Sequence, residues 1–228
     1  MSKLKRKIWR IINEKENLLS VFSKVYNIFN RNSKKIYGYN NEINSNGAFL
    51  KKTKIYVKGN NNKIFIGKES RLNETYIHII GNDNIIEINE NTVIGECELW
   101  REDSYGKISI GKNTTINSGH IACTENYGKI KIGEDCMFSN NITFRNGDSH
   151  SIIDIVNEKR INYAKNIHIG NKVWIGENSY ILKGAEIQNE SIVATNSVVT
   201  KKFDSNCIVA GNPASIKKRE IKWIRERV

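Results

Sequence analysis

His150 is the residue of this chain best suited to proton transfer. It lies in the run DSHSIID at 148–154, with Asp148 two residues before it and Asp154 four residues after it. An imidazole with an ordinary pKa of about 6.5 can take a proton near neutral pH and return it, which is the task of a general base acting on a hydroxyl. A carboxylate accepting from the second ring nitrogen would fix its tautomer, and of the two acids Asp154 is the favoured partner. The other histidines, His78, His120 and His168, form no His-x4-His pair with a third histidine beyond. Cys97, Cys123, Cys136 and Cys207 contain no Cys-x-x-Cys spacing. The chain is therefore expected to hold no metal and to carry free thiols of a reducing compartment.

The sequence that must hold His150 in place is a repeat. Ile169, Ile175, Ile181, Ile187, Val193 and Val199 stand six residues apart, and Val173, Ser179, Ala185, Ser191 and Ser197 supply a small residue two positions before each of the last five. Upstream the pairs Ile66/Leu72, Ile88/Ile94, Ile110/Ile116 and Ile132/Phe138 begin 22 residues apart each time. A period of six fits neither a 3.6-residue helix nor a long alternating strand. It fits short strands joined by tight corners and stacked coil on coil, each coil burying its inward face only against its neighbours. The 32 asparagines suit such corners, because Asn tolerates left-handed backbone. The rhythm breaks over 145–166, where about 15 extra residues are looped out, and His150 stands on that excursion. Loops carried by rigid scaffolds commonly display catalytic side chains.

The ends differ in kind. Residues 1–40 read as a basic amphipathic helical segment, with Leu4, Ile8, Ile11, Ile12, Leu18, Leu19, Phe22, Val25, Tyr26 and Phe29 at roughly helical spacing. The solenoid is expected over 41–210, and 211–228 as a loop and a second helix carrying Ile216, Ile221, Ile224 and Val228. The formal charge of +12 arises from 36 Lys and Arg against 24 Asp and Glu, and residues 1–35 alone hold ten against two. No apolar run approaches the roughly 20 residues of a membrane span and no cleavable leader is evident, so a cytoplasmic protein is expected. Nucleic acid is not an expected partner, since the charge is terminal and no binding motif accompanies it.

The runs IGNKVWIG at 169–176, VVTK at 198–201 and AGNPA at 210–214 together resemble the carboxyl-terminal signature of the hexapeptide-repeat acyltransferases. The resemblance implies an all-β solenoid, a left-handed parallel β-helix with short amino- and carboxyl-terminal helical segments, using acetyl-CoA as donor. It implies a homotrimer with active sites between subunits. DSHSIID followed by Trp174, twenty-four positions after His150, is similar to the O-acetyltransferases of capsular polysialic acid and related bacterial surface glycans. In that branch the matching tryptophan lies at the active site, where its ring could stack on a sugar or on pantetheine and its N–H could donate.

The same resemblance implies direct transfer in a ternary complex with His150 as base. CoA phosphates call for cations, for which Lys201, Lys202, Lys217, Lys218 and Arg219 are candidates. The pantetheine arm of the family lies along the late coils, which nominates Gly176, Ala194 and Gly211 as backbone contacts. Arg145, Trp100, His120 and Tyr127 are candidates for the acceptor cleft, while His78 and His168 read as ordinary coil positions. An acidic acceptor, a sialic acid polymer first, suits a basic protein, and residues 1–35 suit a membrane surface or a glycan-assembly partner. The alternatives are a small sugar, lipopolysaccharide sugar or xenobiotic acceptor, and, in another class, a non-catalytic solenoid that binds glycan or membrane. Zinc-binding hexapeptide solenoids require the paired histidines that this sequence lacks.

Overall fold

The structure, a computed structural model, describes residues 16–227. Each coil contributes a strand to each of three faces. The first face stacks Ser33–Tyr37, Lys54–Lys58, Tyr76–Ile80, the later halves of Val93–Glu102 and Thr115–Cys123, then Ile142–Arg145, Tyr180–Leu182 and Val198–Val199. The second runs from Glu42–Asn44 through Lys63–Ile66, Ile85–Ile88, Lys107–Ile110, Lys129–Ile132, Ile167–Ile169 and Glu186–Ile187 to Lys202–Phe203. The third takes Phe49–Lys51, Arg71–Asn73, the early halves of the two long strands, Met137–Phe138, Trp174–Ile175, Ile192–Val193 and Ile208–Ala210. Val93–Glu102 and Thr115–Cys123 bend through a corner and join the first and third faces into one sheet.

Register follows the hexads. Ile64, Ile86, Ile108 and Ile130 stack in steps of 22, all fully buried, so each isoleucine covers the one before it. Burying such a side chain is worth about 1.5–3 kcal/mol, and the repeated stack supplies the core that no single coil possesses. The next step, Ile130 to Ile167, spans 37 residues, 15 more than the preceding ones, as the sequence requires. Those residues leave the coil after Arg145 and form a small antiparallel hairpin, Ile153–Asp154 with Lys159–Arg160. Later steps shorten to 18 for Ile169–Ile187 and 16 for Ile187–Phe203.

The asparagines act at the corners by bonding from coil to coil. Asn60, Asn82 and Asn126 accept through their side-chain oxygens from the backbone N–H one coil earlier, at Tyr39, Asn60 and Ser104, over 2.9–3.0 Å. Ser104 fills the missing rung, its hydroxyl accepting from Asn82 N–H. A second, inward ladder runs Asn41, Asn62, Asn84 and stops where the next rung is Gly106. Arg101 occupies that space, fully buried. Its guanidinium donates to the carbonyls of Cys123, Ser104 and Glu125 at 3.0–3.1 Å, and a Cβ on Gly106 would lie 2.0 Å from one of its nitrogens.

Two expectations at the ends are corrected. The solenoid begins at Ser33 rather than 41, because Ser33–Tyr37 already pairs in parallel with Lys54–Lys58. The carboxyl-terminal helix does not form: Ser215–Lys218 is a strand, antiparallel on Ile208–Ala210. Ile208–Ala210 is the last third-face strand of the parallel stack, and its open edge of N–H and C=O groups is satisfied by this returning strand, which a helix could not do. At the other end the helix Glu16–Phe29 is present, seated by Leu19 and Tyr26 against Phe49 and by Asn27, which bonds Ala48 and Leu50. The first part of the expected helical segment, 1–15, lies outside the described residues. All four cysteines are buried free thiols, and burial pushes Cys97 up to about 12 and Cys123 and Cys136 up to about 11.

Arg101→Ala should cost about 3–5 kcal/mol in denaturant unfolding, since it strands three buried carbonyls and opens a cavity.

Candidate active site

The excursion after Arg145 is fixed at its base by one side chain that sequence alone does not single out. Asn162, 5% exposed, donates from Nδ2 to the His150 carbonyl at 2.7 Å and to Asp148 Oδ2 at 2.9 Å. Its Oδ1 accepts from Ile152 N–H at 2.7 Å and Arg160 Nε at 3.1 Å. Arg160 pairs with Glu125 on a neighbouring corner and covers the Tyr163 ring at 4.9 Å. Lys183, on the coil beyond, pairs with Asp148. That hydrogen bond, helped by Asn162, holds the Asp148 carboxyl below the ordinary carboxylate range, so it is anionic at neutral pH.

His150 is thus pinned through its backbone. Its N–H donates to Asp148 O at 2.8 Å after a left-handed Ser149, its carbonyl is taken by Asn162, and its ring is exposed with no hydrogen-bond partner among the described residues. Asp154, the favoured partner for that ring, is committed elsewhere. Its Oδ1 accepts from the N–H groups of Val156 and Asn157 at 3.0 and 2.8 Å and closes the hairpin turn, as Asp commonly does two and three residues ahead of itself. Asp148 acts by holding the loop to Lys183 rather than by orienting the ring.

Trp174 is outward on the third face, between Met137 and Ile192 in register, and 38% exposed. It is braced from the carboxyl-terminal tail. Trp223, 5% exposed, approaches it with ring centroids 6.1 Å apart and donates from Nε1 to Lys172 O at 2.8 Å. Arg225 then ties the tail to Asp135, Thr115 and the carbonyl of Cys136. Neither residue carries a periodic signal, because their partners lie 49 to 112 positions away.

The cofactor candidates separate into two groups. Gly176, Ala194 and Gly211 spend their N–H groups inside the solenoid, on Val193 O, Val209 O and the Ser197 hydroxyl, so these three amides are not free to donate to a cofactor. Gly176 is required for another reason: a Cβ there would meet Thr195 N at 2.6 Å on the adjoining coil. Among the cations, Lys202 pairs with Glu186 at 2.7 Å, Arg219 with Asp204 at 3.1 Å, and Lys201 lies over the Phe203 ring at 5.6 Å. Lys217 and Lys218, exposed on the returning strand, have no carboxylate partner among the described residues.

Of the acceptor candidates, His120 alone lines the large groove of about 1150 Å³ that runs along the first face from Ser33 to Asn141. Its Nδ1 is 3.0 Å from Glu98 Oε2, a partner that sequence reading did not name. Trp100 lies beside the groove, its ring stacked on His78 at 3.7 Å and 6.3 Å from His120. His78 itself is buried between Tyr56 and Trp100, and burial depresses its pKa. Arg145 is in the column of Trp100, separated from it by Ala122. Tyr127 is elsewhere, stacked at 5.1 Å on Tyr105 at a corner. Among the described residues no cluster of three or more His, Cys, Asp or Glu could hold a metal ion.

A stack of hexapeptide coils with a single histidine-bearing excursion defines a class before it defines a chemistry. The family model described as bacterial transferase hexapeptide (six repeats) matches residues 166–201. The polysialic acid O-acetyltransferase OatWY is 36% identical, with a TM-score of 0.81 over 86% of this chain and 92% of that one. The polySia-specific acetyltransferase NeuO is 33% identical, with a TM-score of 0.78 over 86% and 89%. A polysialic acid O-acetyltransferase of Escherichia coli O1:K1 / APEC is 44% identical over 91 residues, 40% of this chain and 30% of that protein, so the matched stretch spans about a third of that curated relative. This chain belongs to the hexapeptide-repeat acetyltransferases, acetyl-CoA-dependent acyltransferases built on the left-handed β-helix.

Asn162→Ala should free the loop: amide exchange over 148–162 should accelerate about tenfold for each ~1.4 kcal/mol of lost bonding, while the coils keep their protection. Trp223→Leu should detach the tail, so that tryptic cleavage after Lys222 and Arg225 speeds about tenfold or more with the solenoid still folded by circular dichroism.

Proposed function

We propose that this protein transfers the acetyl group of acetyl-CoA to a hydroxyl of a bacterial surface glycan, with polysialic acid the leading acceptor. The observation that carries the chemistry is the His150 loop, whose backbone is held by Asn162 while the imidazole is left free for a proton. The acceptor O–H gives its proton to the imidazole as its oxygen attacks the thioester carbonyl. Collapse of the tetrahedral adduct breaks the C–S bond, and the imidazolium returns the proton to the departing thiolate. No covalent enzyme intermediate is needed, and the buried thiols of Cys97, Cys123 and Cys136, pushed up to about 11–12, are poor nucleophiles.

Trp174 contributes a flat surface for donor or sugar, and Lys217 and Lys218 meet the CoA phosphates. The acceptor occupies the first-face groove beside Tyr76 and His120. Support for polysialic acid comes from the likeness to NeuO and OatWY over most of the chain. The groove itself supports a second acceptor, a neutral or small sugar, because its rim balances Lys35, Lys52 and Lys54 against Glu74, Glu96 and Glu98. The working assembly is a trimer in the cytoplasm. The active loop exposes Ile152, Ile153, Ile155, Val156 and Ile161, a surface suited to a neighbouring subunit.

Calorimetric titration should show acetyl-CoA saturating at about one equivalent per chain, with CoA release on adding polysialic acid; absence of binding by folded protein would leave a non-catalytic solenoid. His150→Ala should retain acetyl-CoA binding and lose at least about a hundredfold in kcat. Near-normal turnover in that variant would remove His150 as the base.

A further inference from the structure

The helix Glu16–Phe29 is amphipathic, and its apolar side extends well beyond the residues that seat it on the solenoid. Leu19 and Tyr26 face Phe49, and Ser23 accepts from Gly47 N–H, which accounts for one side. Leu18, Val21, Phe22, Val25, Ile28 and Phe29 are exposed, Ile28 at 76% and Phe29 at 80%. Their spacing of three and four places them on one continuous stripe; Phe22 borders the solenoid, its ring 6.2 Å from Phe49, and Leu18, Val21, Val25, Ile28 and Phe29 lie on the exposed side. The neighbouring first coil adds exposed Ile36, Tyr37 and Tyr39, and among the described residues no strand covers its outer edge. A surface of this kind marks an interaction site.

Charge selects the occupant. Lys24, Arg31 and Lys34 flank the stripe or follow it directly, against Glu16 at the start of the helix. A second copy seated on this face would bring two such cationic sets together, which is repulsive at close range. An anionic bilayer supplies both requirements at once, acyl chains for the stripe and phosphate headgroups for the lysines. We propose that the amino-terminal end of the solenoid docks on an anionic lipid surface, the helix lying in the plane of the interface. Fourteen residues span about 21 Å, shorter than the bilayer core, and no described helix is long and apolar enough to cross a membrane. The His150 loop leaves the sixth first-face strand of the stack, five coil steps or roughly 24 Å along the axis from Ser33, so docking leaves it clear of the bilayer. The proposal is independent of which glycan is acetylated.

The test is co-sedimentation of the full chain with vesicles of phosphatidylcholine alone and with phosphatidylglycerol added, at low and high salt. The full chain should pellet with the phosphatidylglycerol vesicles, weakly with the neutral ones, and less in high salt. Val25→Glu combined with Phe29→Glu should reduce partitioning at least about tenfold. Lys24→Glu with Lys34→Glu should reduce only the phosphatidylglycerol-dependent part, by about fivefold per lysine. Both variants alter exposed positions and should melt as the parent does. The proposal is overturned if the full chain ignores phosphatidylglycerol vesicles or if the glutamate pair binds them as the parent does. It is equally overturned if light scattering shows that the pair dissociates an oligomer, which would assign the stripe to a second copy.

Discussion

Each coil of this solenoid can bury its inward isoleucines only against the coils above and below, so parallel register between coils is the constraint on which everything else depends. Ile64, Ile86, Ile108 and Ile130 satisfy it by standing in one column. The asparagine ladders satisfy it at the corners, where a backbone turning left-handed would otherwise leave N–H groups unpaired. Arg101 shows how strict it is. Where the inward ladder lacks a side chain, a cation is drawn fully inside to bond three carbonyls, and only a glycine at 106 leaves it room.

A rigid stack has little freedom to shape a site, so chemistry is placed where the stack is interrupted or where it ends. The excursion over 146–166 is tied to two different coils, to Glu125 through Arg160 and to the coil of Lys183 through Asp148, with Asn162 joining the two ties. The result fixes a backbone and frees a ring. The tail does the corresponding work on the third face, crossing earlier coils to seat Trp223 beside Trp174. Loop and tail therefore hold His150 and Trp174 by contacts that lie outside the hexad pattern.

The two ends of the stack face the same problem of an open edge and solve it differently. At the carboxyl end Ser215–Lys218 folds back antiparallel and closes the edge from within the chain. At the amino end the helix covers Phe49 and bonds Ala48 and Leu50 but leaves its own apolar stripe outward. The groove along the first face starts at this same end, at Ser33 and Lys35, and reaches Asn141, on the coil that releases the active loop.

The sequence by itself determined the coil, its period, the 15-residue excursion and the histidine on it, because a residue that packs on a copy of itself one coil away must recur at a fixed interval. The side-chain partners of the site were decided only by tertiary structure. Asp154 and Asp148 both lie within four residues of His150 in sequence, yet one closes a turn and the other meets Lys183, 35 positions on. Asn162 could not be told from 31 other asparagines until the loop folded around it. Trp223 and Ser215–Lys218 read as a terminal helix because helical spacing is a local signal. What overrode it was the need of the last strand for hydrogen-bond partners, a demand that exists only once the stack is built.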